Sequence, residues 1–347
     1  MATRRDLVER ALLREPTDRL PCFPLVDVAF ASAHSGRTLA SLQLDARLHA
    51  AALSQCLREL PVDGVYINLC LTSKQAAAAV CSDGHYAVLL DECLRLEFSE
   101  NEVAAVASSD LLSLDDERMG IGELFHPGML ATFQAMPEEV RDQGAVCVGL
   151  TGAFSQVGFL VGVRSLMVAM LDNPDAVHRA VRKRQQIALR QAAELCRAGA
   201  RFIWIGEGMA SNSLLSGRMY AEFALPYEQE LADEIRRQGA LSLLHICGNV
   251  TPSLPHLARS RVDGVDIDSP TDWSAAVEVL GPRLCLKGNI NPTLFLPGNE
   301  QELRVASATC KRAVGRTSGF ILSTGCLVPR DSSREAFNVM ARAALTE

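Results

Sequence analysis

The chain has 347 residues, 48% of them apolar, and its 34 basic and 41 acidic side chains give a net charge of -7. That apolar share is enough for a large core, while the acidic balance without any basic run argues against nucleic acid or an anionic membrane surface as the main partner. No run of about 18 apolar residues suggests a membrane span, and the N-terminus lacks the apolar core of a secretion signal.

In chain order, residues 5–14 have helical spacing, with Leu7, Ala11 and Leu12 on one side. Pro16, Pro21 and Pro24 end that helix and frame a first strand over residues 22–26. Residues 45–60 form a second helix pattern, stopped by Pro61, and residues 63–68 a second strand. Residues 70–144 are too long for one strand-to-helix connection. They read as an insertion between the second and third strands, with extended pieces at 86–90 and 95–98 and a helix after Pro137. This insertion is expected to fold beside or over the mouth of the domain.

From Ala145 the rhythm is regular. Residues 145–151 form an apolar strand, and a long helix runs from Pro174 to Arg197. Residues 201–207 form a strand, followed by a helix over 219–237 that is kinked or broken at Pro226. Further strands fall at 241–247, 264–268, 284–289 and 319–323, with helices near 273–280, 300–314 and 332–345. Eight strand candidates, nearly all separated by helices, are the pattern of an α/β chain folded as a (β/α)8 TIM barrel with an N-terminal helix, in one domain over 1–347. An open doubly wound sheet fits less well, because no strand–GxGxxG–helix fingerprint is present.

A barrel of this kind builds its active site at the carboxyl ends of its strands. Glu207, His245, Cys247, Asp268, Asn289 and Cys326 all fall at or just past strand ends in this reading. His245 and Cys247 are two residues apart on a strand and so share a face. With Cys326 from the last strand they make a two-thiolate, one-imidazole set suited to zinc. Eleven cysteines, without the dense spacing of a secreted scaffold, point to a reducing, cytoplasmic setting in which the other thiols are small buried hydrophobes. Glu207 is either a fourth ligand or a carboxylate at a helix N-terminus or in a surface ion pair. Asp268 either orients His245, meets substrate, or serves a turn. Asn289 and Asn291 bracket a turn and offer cofactor or substrate contacts. His34, His85 and His126 lie in loop-like segments.

The runs His245-Ile-Cys-Gly-Asn-Val-Thr-Pro252, Asp263-Gly-Val-Asp-Ile-Asp268, Lys287-Gly-Asn-Ile-Asn-Pro292 and Ser323-Thr-Gly-Cys326 resemble the uroporphyrinogen decarboxylase superfamily. So do Leu150-Thr-Gly-Ala-Phe-Ser155 and Ser216-Gly-Arg-Met-Tyr-Ala-Glu-Phe-Ala-Leu-Pro226. The resemblance implies a (β/α)8 barrel with a cleft at its mouth. Decarboxylases of the family carry an arginine-rich segment after the first strand, whereas residues 24–34 here hold no arginine. They also place a histidine where this chain has Cys326. The branch of zinc-dependent, corrinoid-linked methyltransferases, similar to the methylcobalamin:coenzyme M enzymes, instead uses His-x-Cys and one distant Cys, matched by His245, Cys247 and Cys326. That branch implies Zn2+ as cofactor and methyl transfer between a corrinoid and a thiol, folate, methyl ether or methylamine. No Asp-x-His-x-x-Gly segment is present to hold a corrinoid from below, so methylcobalamin or cob(I)alamin is expected on a separate corrinoid protein. A decarboxylase-like lyase and a non-catalytic barrel that binds a corrinoid protein or small ligand are the alternatives.

Overall fold

A computed structural model describes residues 2–90, 94–108, 112–315 and 318–345. After helix α1 (Arg4–Leu12) come α2 (Val28–His34), α3 (Leu39–Leu44) and α4 (Ala46–Glu59), and then strand β1 (Gly64–Ile67). The next segment holds α5 (Ser73–Ala77), strands β2 (Val80–Ser82), β3 (His85–Leu90), β4 (Leu94–Ser99) and β5 (Val103–Ser108), and helices α6 (His126–Ala135) and α7 (Glu138–Gln143). Strand β6 (Ala145–Thr151) leads to α8 (Ala153–Val161), α9 (Val163–Asp172) and α10 (Pro174–Arg197). Then follow β7 (Phe202–Gly206), α11 (Gly217–Phe223), α12 (Leu225–Arg237), β8 (Leu241–Ile246), α13 (Leu254–Leu257) and β9 (Gly264–Ile267). The chain finishes with α14 (Trp273–Leu280), β10 (Cys285–Ile290), α15 (Glu300–Val314), β11 (Phe320–Thr324) and α16 (Arg334–Leu345).

Among the described residues seven parallel strands pair in the order β1-β6-β7-β8-β9-β10-β11. The expected first strand, residues 22–26, makes only two isolated parallel bridges, Cys22 to Leu322 and Leu25 to Leu327. Its prolines explain why: Pro21 and Pro24 have no N–H to give to a ladder. The segment still fills the eighth position. Phe23 N–H donates to Leu322 O at 2.9 Å on one side, and Asp63 N–H and Tyr66 N–H donate to Cys22 O and Val26 O, both at 2.8 Å, on the other. The buried Asp63 carboxylate locks this seam by accepting Cys22 N–H at 2.6 Å and both arms of Arg19 at 2.6 and 2.8 Å.

Inward side chains alternate with outward ones along every strand. Phe23, Leu25, Tyr66, Cys147, Phe202, Leu243, Cys285 and Ile321 fill the barrel, and Val8, Ala11 and Leu12 of α1 join the same cluster. A larger apolar layer lies between the strands and the outer helices. The helix expected over 219–237 is broken into α11 and α12 just before Pro226.

The long segment after β1 divides in two. Strands β2 to β5 make a separate antiparallel sheet in sequential order, its β3 and β4 covering the extended pieces foreseen in the sequence. The backbone near this sheet is tied to α3 by Leu39 N–H to Glu100 O at 2.6 Å, and to α8 by Leu112 N–H to Leu160 O at 3.0 Å. Both helices follow the carboxyl ends of barrel segments. By contrast α6 packs on α4, β1 and β6 as an ordinary outer-ring helix.

The seam gives a test. Asp63→Ala removes the acceptor for a buried N–H and for Arg19, and should cost about 2–4 kcal/mol of unfolding free energy. Urea denaturation measures it, and a loss under about 0.5 kcal/mol, the range of a neutral surface change, would mean the seam does not depend on Asp63.

Candidate metal centre

His245 is the penultimate residue of β8 and points inward, with 1% of its surface exposed. Its Nδ1 lies 3.1 Å from the main-chain oxygen of Asp266 on the neighbouring β9. A carbonyl only accepts, so Nδ1 carries the proton and Nε2 keeps its lone pair for a ligand. The Trp204 ring stacks on the imidazole at 5.2 Å and 21° and fixes its plane.

Cys247 lies just past the end of β8 with its Sγ 3.2 Å from His245 Nε2, and Cys326, just past β11, puts its Sγ 3.9 Å from the same nitrogen. The three ligand atoms all fall within 4.8 Å of one another. Tetrahedral zinc, at about 2.3 Å from sulfur and about 2.0 Å from nitrogen, needs ligand atoms roughly 3.5–3.8 Å apart. The donor set fits such an ion, and the two nitrogen–sulfur distances, 3.2 and 3.9 Å, bracket the required spacing. Two thiols this close compete for a proton. The hydrogen bond from Cys326 lowers the pKa of Cys247 against the effect of burial, and the same contact together with burial raises that of Cys326. Burial opposes protonation of His245, but Cys326 and Asp266 together raise its pKa.

Asp268 holds the two cysteine loops together. Its carboxylate accepts Gly248 N–H at 2.6 Å, beside Cys247, and Ser269 N–H at 2.7 Å. Its backbone presses on Gly325, beside Cys326, where an added Cβ would stand 2.4 Å from Ser269 N and 3.0 Å from Asp268 Cα. The holder of His245 is thus Asp266, and Asp268 acts on the loops.

Glu207 does not join the three-ligand group. Its buried carboxylate accepts Phe154 N–H at 3.3 Å, Ser155 N–H at 3.0 Å and Ser155 Oγ–H at 2.6 Å, which places it on the N-terminus of α8. The fit is tight: a Cβ on Gly152 would come within 1.9 Å of Glu207 Oε1. Burial pushes the Glu207 carboxyl up to about 7, against the pull of its three donors.

Asn289 donates to Thr271 O at 3.3 Å and lines an apolar-walled groove of about 510 Å³ with Ser269, Trp273 and Val305. It does not belong to the three-ligand group. His34, His85 and His126 are not in loops. They end α2, begin β3 and begin α6, and His34 and His126 face Glu59 at 3.1 Å and Glu194 at 3.0 Å.

Sequence reasoning quoted Asp266 and Lys287 within motifs but gave them no role, and it missed Trp204. Asp266 pairs in register with both His245 and Lys287. Its Oδ1 takes Lys287 Nζ at 3.0 Å and its Oδ2 takes Trp204 Nε1–H at 3.3 Å. Burial lowers the Lys287 pKa, and the Asp266 carboxylate opposes that shift. The signal in the sequence was strand alternation: Asp266 precedes Asp268 by the same two residues that separate His245 from Cys247.

The pattern of the uroporphyrinogen decarboxylase (URO-D) family matches residues 3–346. The chain belongs to that family. Within it, uroporphyrinogen decarboxylase of Coxiella burnetii is 24% identical over 344 residues, covering 93% of this chain and 89% of its own length. A methylcobamide:CoM methyltransferase of Methanosarcina acetivorans is 31% identical over 129 residues, 37% of each chain. Across methyltransferase relatives of this kind the chain spans 37% to 56% of their length. The solved structure of a methyltransferase from Methanosarcina mazei shares the fold at a TM-score of 0.81 and 20% identity, covering 99% of this chain and 98% of its own. Relatives on both the decarboxylase and methyltransferase sides of the family are enzymes by name. No single helix among the described residues is long and apolar enough to cross a membrane.

Glu207 offers a pH test. Its folded-state pKa, about 7, lies above the ordinary 4.5, so the folded chain keeps a proton that the unfolded chain releases. The stability it adds is full below about pH 4.5 and is lost as pH rises through about 7. Glu207→Gln should therefore gain about 2 kcal/mol relative to the native chain between pH 5 and pH 8. A stability difference that stays flat across that window would contradict the assignment.

Proposed function

We propose that this protein is a zinc-dependent methyltransferase that moves a methyl group between a corrinoid, carried on a separate corrinoid protein, and a second substrate bound through a thiol or other heteroatom. The observation that carries the reading is the convergence of His245, Cys247 and Cys326 at the barrel mouth within 4.8 Å. The similarity to methylcobamide-dependent methyltransferases supports it, and so does the absence of arginine from residues 24–34.

Bound by two thiolates and an imidazole, zinc supplies Lewis acidity that lowers the pKa of a substrate heteroatom. The chain's own residues make the site ready for it. The Asp266 carbonyl keeps the proton of the neutral His245 ring on Nδ1, so that its Nε2 lone pair faces the two cysteines. Asp268 and Gly325 hold the two cysteine loops in contact. Glu207 braces α8 beneath the same edge, and the β7 turn that carries it runs close to Cys247, 3.9 Å from where a Cβ on Gly208 would stand. Asn289 and its groove are assigned to contact with the incoming cofactor or its protein. The small sheet of β2 to β5, attached to α3 and α8, forms a wall that narrows access to the mouth and gives the corrinoid protein a surface to meet.

A second reading, a decarboxylase-like lyase, is favoured by the length of the match to uroporphyrinogen decarboxylase. The two separate cleanly. Purified protein should contain about one zinc per chain, and Cys247→Ala or Cys326→Ala should lose most of it while remaining folded by circular dichroism, because the ligands sit above the packed layers. Interconversion of the methyl-Co(III) and Co(I) absorption bands should proceed with zinc, stop on chelation and return on zinc addition. Full zinc content in the double cysteine variant would rule out this metal site, and metal-independent consumption of porphyrinogen carboxylates with no corrinoid turnover would decide for the lyase.

A further inference from the structure

The three ligands come from two places that are far apart in the sheet: His245 and Cys247 from β8, and Cys326 from β11. Strands β9 and β10 lie between them. At the surface of the mouth Asp268 ties the two cysteine loops. Inside the barrel, below it, a second connection spans those strands. Lys287 of β10 is fully buried, with 0% exposure. Its ammonium donates to Asp266 Oδ1 at 3.0 Å on the β9 side and to Ser323 Oγ on the β11 side.

Each of those partners leads directly to a ligand. Asp266 holds His245 through its main-chain oxygen. Ser323, on β11, lies three residues before Cys326, which follows the end of that strand, and its hydroxyl donates to Phe23 O at 2.7 Å. The rings of Phe23 and Tyr66 lie 5.4 and 5.2 Å from the Lys287 nitrogen and close the remaining space with their electron-rich faces. A buried ammonium is costly unless it is paired and hydrogen-bonded, so its position is strongly determined.

We propose that Lys287 is a positioning residue that sets the distance between the His245/Cys247 half and the Cys326 half of the metal site by bridging Asp266 and Ser323. This rests on the reading of His245, Cys247 and Cys326 as metal ligands. Lys287 lies outside the three-ligand group. It is the cross-tie beneath the Asp268 link, and its loss leaves each half intact but loosens their spacing.

The test uses cobalt(II) in place of zinc, because its d–d and sulfur-to-cobalt bands report ligand number and geometry without any enzymatic assay. Four variants are compared with the native chain by chelator competition and by absorption spectrum. Ser323→Ala cuts the tie on the Cys326 side and leaves the Lys287–Asp266 pair in place. The double change Lys287→Met with Asp266→Asn removes both charges together, avoiding an unpaired buried carboxylate and keeping the main-chain bond to His245. Cys285→Ala, two residues below Lys287 on the same strand, is the control for mere loosening of the barrel. Ser323→Ala and the double variant should bind cobalt about tenfold more weakly, in the range of lost support for a ligand. Their sulfur-to-cobalt band should also weaken relative to the d–d bands, as one thiolate moves out of reach. Cys285→Ala should lose stability but keep the native spectrum. Native cobalt affinity and spectrum in both Ser323→Ala and the double variant would overturn the role of Lys287 while leaving the metal site standing. A native chain that takes up no cobalt would overturn the metal reading itself, and this proposal with it. Ser323→Thr, which retains the hydroxyl, should restore the native spectrum, and its failure to do so would count against the tie.

Discussion

The parallel register that places His245, Asp266 and Lys287 side by side across β8, β9 and β10 is the constraint from which the rest of the mouth follows. A shift of one residue in either pairing would turn these side chains out of the barrel and replace them with apolar neighbours. In register they form a polar layer just below the mouth in which each group finds a partner: the imidazole a carbonyl, the carboxylate an ammonium and an indole, the ammonium a hydroxyl. Polar groups buried this deeply are tolerated only when satisfied. The layers beneath are filled by Phe202, Leu241, Leu243, Cys285 and Ile321.

That arrangement divides the labour of the site. Strand ends deliver the ligands, and the layer beneath them determines where each ligand stands and which tautomer it adopts. Loop carboxylates then do the outer work, with Asp268 binding the two cysteine turns together and Glu207 occupying the N-terminus of α8. In a family that contains both decarboxylases and methyltransferases, the barrel itself is neutral between chemistries. Under the proposed reading, Cys247 and Cys326 set this mouth apart, because soft thiolates favour a metal over an organic carboxylate.

Much of this was legible in the sequence because period-two strands and terminal breakers leave strong marks. The helices at 174–197, 273–280 and 300–314 and the break before Pro226 were readable from caps, prolines and stripes. The three candidate ligands stood out by the two-residue spacing and a soft residue at another strand exit, and the fold brings their ligand atoms within 4.8 Å of one another. What escaped notice lacked such marks. Helix α8 is buried on nearly all sides, so it shows no polar face to reveal its period. Helix α6 begins without a side-chain cap and lies inside a segment whose length suggested an insertion throughout. The first strand was expected to pair regularly, but Pro21 and Pro24 reduce it to bridges. The role of Lys287 depends on contacts with residues 21 and 36 positions away, and no local pattern encodes these.

X-ray absorption at the zinc edge of the purified protein is the most direct measurement of the central claim. The account predicts two sulfur scatterers at about 2.3 Å and an imidazole nitrogen at about 2.0 Å, with one further light atom completing four-coordination. An outer shell from the imidazole ring should vanish in His245→Ala. A spectrum fitted entirely by oxygen and nitrogen, or one unchanged when Cys247 and Cys326 are both replaced by Ala, would contradict it.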